Sequence, residues 1–335
     1  MKVLVTGASG HIGANLVRSL LIGGRPLRAL IHHDARALEG LDVEVANGSV
    51  CDIDSLYKSF QGVEVVYHLA AQISLSMGDW PLFNSVNVTG TENVVKACIK
   101  YSVKRLVHFS SIHSLVQEPM DSPIDELRPL VELHDPHPYN RSKANGERAV
   151  FKGIDKGLNA IIINPTAVIG PYDYKPSHFG EVLVRLANRR LPALVAGGFN
   201  WVDVRDLVDG AIIAEQKAPR GARYLLSGHW ASLKDIAALV EKTTGIPSPK
   251  FVCPTWLACA SAPLINRLYH FNGNRPLYTA FSIKTLCSNM NISHEKATNE
   301  LGYRPRQLQQ TITDTLHWFE ENGYCGSTHK SIVKG

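Results

Sequence analysis

The sequence predicts an α/β fold organised as a doubly wound parallel sheet, and three observations carry the prediction. Short apolar runs alternate with longer amphipathic segments through the first half, the strand-like runs are apolar nearly throughout, and a glycine-rich turn closes the first of them. A strand apolar on both faces must be covered on both, and a parallel crossover supplies that cover by returning over a sheet face as a helix.

The elements follow in order. KVLVTG (2–7) reads as the first strand and HIGANLVRSLLIG (11–23) as the helix it feeds, with LRALI (27–31) and DVEVA (42–46) as the second and third strands. VEVVYHLAA (63–71) holds the fourth strand and its exit, and residues 82–102 carry apolar positions at helical spacing. KRLVHFSS (104–111) and NAIIINPTAVIG (159–170) are further strands, separated by a helix over 139–153. Past about residue 170 the rhythm changes, with helices expected near 177–190, 204–217, 232–243 and 309–322 and a loop at TTGIPSPK, 243–250.

Composition narrows the function classes. Hydrophobic residues are 44% and charged residues 19% of 335, an ordinary globular balance that leaves no room for long disordered or highly charged tails. The net charge of +5, from 35 Lys and Arg less 30 Asp and Glu, suits an anionic small molecule and is too mild to argue for nucleic acid. Six cysteines without a C-x-x-C pair predict neither a disulfide scaffold nor a zinc site, so a reducing cytoplasm is expected. The first residues enter a strand at once, and no apolar run reaches the roughly 18 residues of a membrane span, so neither a leader nor a span is expected. The nearest run, FVCPTWLACASAPLI (251–265), is broken by two prolines, a threonine and a serine and reads as a substrate-side or surface element.

Gly7, Gly10 and Gly13 stand three apart between the first strand and its helix. In that place one glycine permits the tight bend, one lets backbone approach a pyrophosphate, and one lets helix and strand pack closely, while the helix N-terminus offers its free N–H groups to the anion. Residues 1–170 therefore read as a dinucleotide-binding Rossmann domain and 171–335 as mainly a substrate-binding cap with elements returning to the sheet. The second strand ends at Ile31 with His32 and His33 following, and no carboxylate is placed to hold a ribose 2′-hydroxyl. Arg36 lies close enough to help a 2′-phosphate, so NADP is preferred over NAD.

Tyr139 and Lys143 form Y-x-x-x-K on one face of a predicted helix, and the strand KRLVHFSS delivers Ser110 and Ser111 to the carboxyl rim of the sheet. A phenol titrates near pH 10, too high for a base unless a neighbouring cation such as Lys143 favours the phenolate. The Lys143 ammonium would also reach the nicotinamide ribose, and Ser111 would hold a carbonyl or alcohol oxygen.

With these residues the sequence resembles the extended short-chain dehydrogenase/reductases over nearly its whole length. The motifs are TGASGHIG in place of TGxxGxxG, HLAA at 68–71, SVNVTGTENV at 85–94, the serine pair and YNRSK, in the family's order. It looks most like the dihydroflavonol reductase-like and 3β-hydroxysteroid dehydrogenase-like branch, including the hopanoid-associated sugar epimerase group, through NPTAVIGPYDYKPS, FNWVDVRDLVDGA, ISHEKATNELGYRP and WFEENGY. The resemblance implies that Ser111 is the catalytic serine, Tyr139 the acid/base and Lys143 the residue lowering its pKa. It implies that Gly7, Gly10, His11, Ile12 and Gly13 line the pyrophosphate, that Leu69, Ala70 and Ala71 follow ribose and phosphate, and that Pro165 and Thr166 lie beside the nicotinamide. It further implies a possible homodimer through the helices at 82–102 and 139–153. Two positions depart from the family pattern: the third strand ends Gly48-Ser49 instead of Gly-Asp, leaving Ser49 and Val50 to contact adenine, and His32 replaces the frequent Arg.

The fourteen histidines include no H-x-x-x-H or H-E-x-x-H set, and no metal is expected. His113 reads as a packed or rim histidine near the substrate, Trp201, Trp256, Tyr269 and Phe271 as core or pocket aromatics, and Arg185, Arg189 and Arg190 as a solvated helix face. Three functions stay open. The first is an NAD(P)-dependent oxidoreductase interconverting a ketone and a secondary alcohol on a small molecule. The second is a nucleotide-sugar epimerase using the same residues, against which AGGFNWVDVRD lacks a glutamine-x-arginine for a diphosphate. The third is a non-catalytic dinucleotide sensor.

Overall fold

Alternation of side chains along the first strand settles how the sheet is covered. In β1 (Val3–Thr6) Val3 and Val5 enter one core and Leu4 the other, all three inaccessible to solvent. The same division recurs at Val65 and Val66, Val107 and Leu106, and Ile161 and Ile162. Burying a side chain of this size contributes about 1.5–3 kcal/mol, so a one-residue slip in register would reverse every such choice.

The computed structural model describes residues 1–32, 34–73, 80–262 and 280–326. After β1 the chain runs through β2 (Leu27–Ile31), β3 (Glu44–Asn47), β4 (Val65–His68), β5 (Arg105–Phe109), β6 (Ala160–Pro165), β7 (Ala167–Ile169), β8 (Leu194–Val195), β9 (Gly198–Asp203), β10 (Arg223–Leu226), β11 (His229–Ser232) and β12 (Val252–Cys253). The main sheet has seven parallel strands in the order β10-β6-β5-β4-β1-β2-β3. Helices α1 (His11–Ile22) and α7 (Val204–Lys217) pack together on one face. α2 (Ile53–Phe60), α4 (Gly90–Lys100) and α5 (Pro138–Asp155) cover the other.

Two smaller sheets, β11-β9-β7 and β12-β8, form a further core, apart from the two on the faces of the main sheet, with α6 (His178–Ala187), α8 (Leu233–Thr244) and the helix Leu308–Glu321. The expected strand NAIIINPTAVIG is two strands: Thr166 interrupts it, β6 stays in the main sheet and β7 crosses to pair with β9. Both halves are buried, so the apolar run hides the break. The expected helix at 82–102 begins as a single helical turn, α3 (Trp80–Phe83), widens into a π-helical turn over Asn84–Thr89 and continues as α4. α2 lacked an apolar stripe long enough to expect; Asp52 caps it, accepting from Asp54 N at 3.0 Å.

Of the segment 251–265, residues 252–253 form β12 and 255–262 are helical, with Trp256 exposed; 263–265 lie outside the described residues, as do Tyr269, Phe271 and His33. Among the described residues no helix is long and apolar enough to cross a membrane.

Candidate active site

Strand order reverses at β1, whose neighbours β2 and β4 carry crossovers leading away to opposite sides, and such a point leaves a crevice at the carboxyl ends of the strands. A cavity of about 750 Å³ occupies it, running from Ile31, His32, Gly48, Ser49 and Val50 past the glycine turn to Ser111, Tyr139 and Lys143. Gly7, Gly10, His11, Ile12, Gly13, Leu69, Ala70, Ala71, Pro165 and Thr166 line it as well.

The three glycines have different physical reasons. Gly7 has φ +70°, and a Cβ there would lie 2.6 Å from Ala70 N, so both its conformation and the neighbouring loop exclude a side chain. A Cβ on Gly13 would lie 2.2 Å from Gly7 O. On Gly10 it would meet only Gly7 O, at 3.4 Å. Gly10 is thus open toward the cavity, and it caps α1 without a side-chain hydrogen bond, leaving the helix N-terminus free for an anion. The His11 ring is engaged elsewhere: Nε2 lies 3.1 Å from the carbonyls of Gly170 and Pro171, and Asn15 Nδ2 donates to Pro171 O at 2.9 Å, so α1 is tied to the loop after β7.

The loop after β4 is held by a chain in which each proton has one destination. Ala70 N–H donates to Thr6 Oγ1 (3.3 Å), Thr6 to His68 Nδ1 (2.8 Å), His68 Nε2 to Thr91 Oγ1 (3.1 Å), and Thr91 to Asn87 O (2.7 Å). This tautomer follows from the Thr91 proton being spent on a carbonyl. Burial pushes the His68 pKa down to about 3, so its ring is neutral. Asn87, in the π-helical turn, accepts from Gln72 N at 2.7 Å and donates to Ser142 Oγ at 2.9 Å, and Ser142 donates to Tyr139 O at 2.8 Å. SVNVTG therefore staples the loop beside Ala70 to the helix that carries Tyr139 and Lys143, a role its motif alone did not reveal.

Pro138 opens α5 at a position where its missing N–H has no helical partner. Tyr139 and Lys143 then face the cavity one turn apart, as the i, i+4 spacing predicts. Burial raises the Tyr139 pKa, and a hydrogen bond with Ser111 works against the rise. Ser111, at the end of β5, caps a short turn by accepting from His113 N at 3.2 Å. Lys143 Nζ donates to Phe109 O at 2.8 Å; burial brings its pKa down to about 8, opposed by the charge of Glu147.

At the adenosine end Arg36 does not line the cavity. Its guanidinium clasps Asp34, Nη2 to Oδ2 at 2.7 Å and Nε to Oδ1 at 3.0 Å, and holds that carboxyl down to about 2. The expectation that it stands ready for a phosphate is corrected accordingly. Trp201 is core, its indole donating to Ala231 O at 2.9 Å, and Arg185 pairs with Glu181 while Arg189 and Arg190 are exposed. The substrate end is walled by residues the sequence did not single out, among them Gln117, His178, Phe179, Phe199, Asn200 and Ile292. Their segments lie far apart in the chain, and no local pattern joins them. His113 lines the same chamber, with its pKa pushed down to about 4 by burial.

A seven-stranded parallel sheet with an open glycine turn and a long crevice over its carboxyl edge defines a dinucleotide-binding α/β enzyme, and the residues fit such a cofactor: Gly10 leaves the cradle that a Cβ would fill. The chain belongs to the NAD dependent epimerase/dehydratase family, whose model matches residues 3–226, and is an enzyme of the extended short-chain dehydrogenase/reductase type. It is 36% identical to sterol demethylase protein B of Methylococcus capsulatus, over 96% of this chain and 99% of that protein. It is 33% identical to a putative dihydroflavonol 4-reductase of Synechocystis, over 96% and 95%. Among solved structures it superposes on gox2253 with a TM-score of 0.84 and 31% identity, covering 96% of this chain and 99% of that one. UDP-glucuronic acid 4-epimerase from Bacillus cereus, solved with UDP-glucuronic acid and NAD, shares the fold at a TM-score of 0.77 and 20% identity, over 96% and 100%.

Proposed function

We propose that the protein interconverts an uncharged, largely apolar ketone and its secondary alcohol, with Ser111, Tyr139 and Lys143 as its catalytic residues. The observation that carries this is the cavity lining: among the described lining residues Lys143 is the only Lys, Arg, Asp or Glu. A sugar nucleotide would bring a second diphosphate into the chamber, away from the helix N-terminus at Gly10 that suits the cofactor's own, and among the described lining residues only Lys143 could meet its charge there. The same lining weighs against the epimerase reading.

A nicotinamide bound in the crevice would supply or accept the hydride. Ser111 and Tyr139 orient the substrate oxygen, and in the reducing direction the Tyr139 hydroxyl gives its proton to that oxygen. Lys143, cationic below about pH 8, then favours the phenolate left behind. For the cofactor we favour NADP: Ile31, His32, Ser49, Val50 and Cys51 line the adenosine end, and none offers the carboxylate that selects a 2′-hydroxyl.

The test is the fluorescence of bound NADPH on addition of 2-decanone, with the protein and its Tyr139→Phe variant, against UDP-glucose. Oxidation of free cofactor by the ketone, lost in Tyr139→Phe with cofactor binding kept, is expected. Turnover of UDP-glucose with the cofactor retained, or undiminished ketone reduction by the variant, refutes the proposal.

A further inference from the structure

Behind Ser111 lies a buried polar cluster that the proposed chemistry does not use. Glu147, on α5 one turn beyond Lys143, has no solvent-exposed surface, and its Oε2 accepts from Arg223 Nη2 on β10 at 2.8 Å. Its other oxygen accepts from Asn164 Nδ2 at 2.7 Å and from the Ser114 hydroxyl at 2.5 Å. Asn164, on β6 directly before Pro165, gives its second amide proton to Ser111 O at 3.0 Å, and Ser114 Oγ lies 2.8 Å from the same carbonyl. One carboxylate thus ties the backbone of the Ser111 turn to the helix that carries Tyr139 and Lys143, and its counter-charge comes from the far edge strand of the sheet.

We propose that Glu147 is a positioning residue, holding the Ser111 turn through Asn164 and Ser114 and presenting the negative charge that faces Lys143. The inference rests on the Ser111, Tyr139 and Lys143 assignment above. Other titratable groups face Lys143 from the packed elements: Tyr139 on its own helix, His68 on β4 and His108 on β5. Both histidines are uncharged because burial holds their pKa values far below neutral, so Glu147 is the one formal charge acting on the ammonium among these groups. Removing that charge while keeping the shape makes the ammonium easier to deprotonate. Shortening the side chain while keeping the charge releases the Ser111 turn instead. The two substitutions therefore separate the two roles.

The experiment is NMR of protein labelled at the lysine ε-carbon, with the Lys143 signal assigned from Lys143→Arg, alongside NADPH-dependent reduction of 2-decanone. In Glu147→Gln the Lys143 titration is expected to move down by about one unit from its starting value near 8, and the alkaline limb of kcat moves with it. In Glu147→Asp the titration stays within about a third of that shift, while kcat falls about tenfold or more with KM for NADPH unchanged. An unmoved Lys143 signal in Glu147→Gln, or a kcat in Glu147→Asp equal to wild type, overturns the proposal. So does loss of melting temperature in both variants with normal kcat and pH profile in the folded fraction, which marks a merely structural role. Tyr139→Phe run in parallel distinguishes the failures: if it keeps turnover, the catalytic assignment falls and this inference with it, whereas an inactive Tyr139→Phe beside an unmoved Glu147→Gln sinks the positioning role alone.

Discussion

Alanine at Gly13 and at Gly10 should separate packing from ligand approach in the phosphate turn. At Gly13 the new Cβ would sit 2.2 Å from Gly7 O and 2.8 Å from Ala8 Cα, both backbone, so strand and helix must part by roughly 1 Å to regain ordinary contact. Alanine gains about 1 kcal/mol of helix propensity over glycine, while overpacking against atoms that cannot swing aside costs about 1–3 kcal/mol. With a 2.2 Å approach between backbone-fixed atoms the cost lies toward the top of that range, so overpacking wins by about 1–2 kcal/mol, and at roughly 1.4 °C per kcal/mol for 335 residues the melting temperature should drop by about 1–3 °C. At Gly10 the only neighbour is Gly7 O at 3.4 Å, so the fold should melt as before. The methyl would stand where the pyrophosphate approaches, and NADPH affinity should fall on the order of tenfold, about 1.4 kcal/mol. Thermal melts without cofactor and NADPH fluorescence titrations read the two effects separately. A Gly10→Ala protein that binds NADPH like wild type would show that the pyrophosphate does not cross this glycine, and an unchanged melt for Gly13→Ala would show that the turn relaxes freely.

Stability should fall with acid in a window set by three histidines held neutral, His68 buried and His113 and His178 half-buried in the cavity wall. His68, His113 and His178 have folded pKa values lowered by burial to about 3, 4 and 4, below their ordinary 6.5, so each contributes fully above about pH 6.5 and is lost as pH falls toward the folded value. Each neutral ring costs about 1.4 kcal/mol at one unit below 6.5, and a melting temperature flat from pH 7 to 5 would contradict this. His108 also has its pKa well below 6.5, yet neither ring nitrogen has a hydrogen-bond partner among the described residues. His108→Leu should be neutral or stabilising by about 1 kcal/mol at pH 7, whereas His68→Leu, which strands Thr6 and Thr91, should cost about 1–3 kcal/mol; urea unfolding of both decides it. Asp34→Asn should free Arg36 and raise the preference for NADP over NAD by about twofold to fivefold, the range of an exposed ion pair, and an unchanged ratio of kcat/KM would place Arg36 outside the cofactor's reach.

Much of this was legible because it is local. Val3, Val5 and Leu4 reveal the sheet by being apolar on both faces, Gly7 and Gly13 reveal a turn that tolerates no Cβ, and Tyr139 and Lys143 share a helix face by spacing alone. Local patterns misled where burial was continuous across a change of sheet, as at Thr166, and where a charge had a nearer partner than any ligand, as for Arg36 on Asp34.

By itself the sequence determined the doubly wound sheet, the phosphate turn and the residues offered for hydride chemistry, because periods of two and 3.6 and the demands of a tight turn are written within a few residues. Tertiary structure alone decided that Phe179, Phe199, Asn200 and Ile292 would wall a chamber over Ser111 in which Lys143 is the only Lys, Arg, Asp or Glu among the described lining residues, and that Arg223 would reach Glu147. Those meetings depend on where the crossovers return each distant segment, a long-range choice made by packing several cores at once.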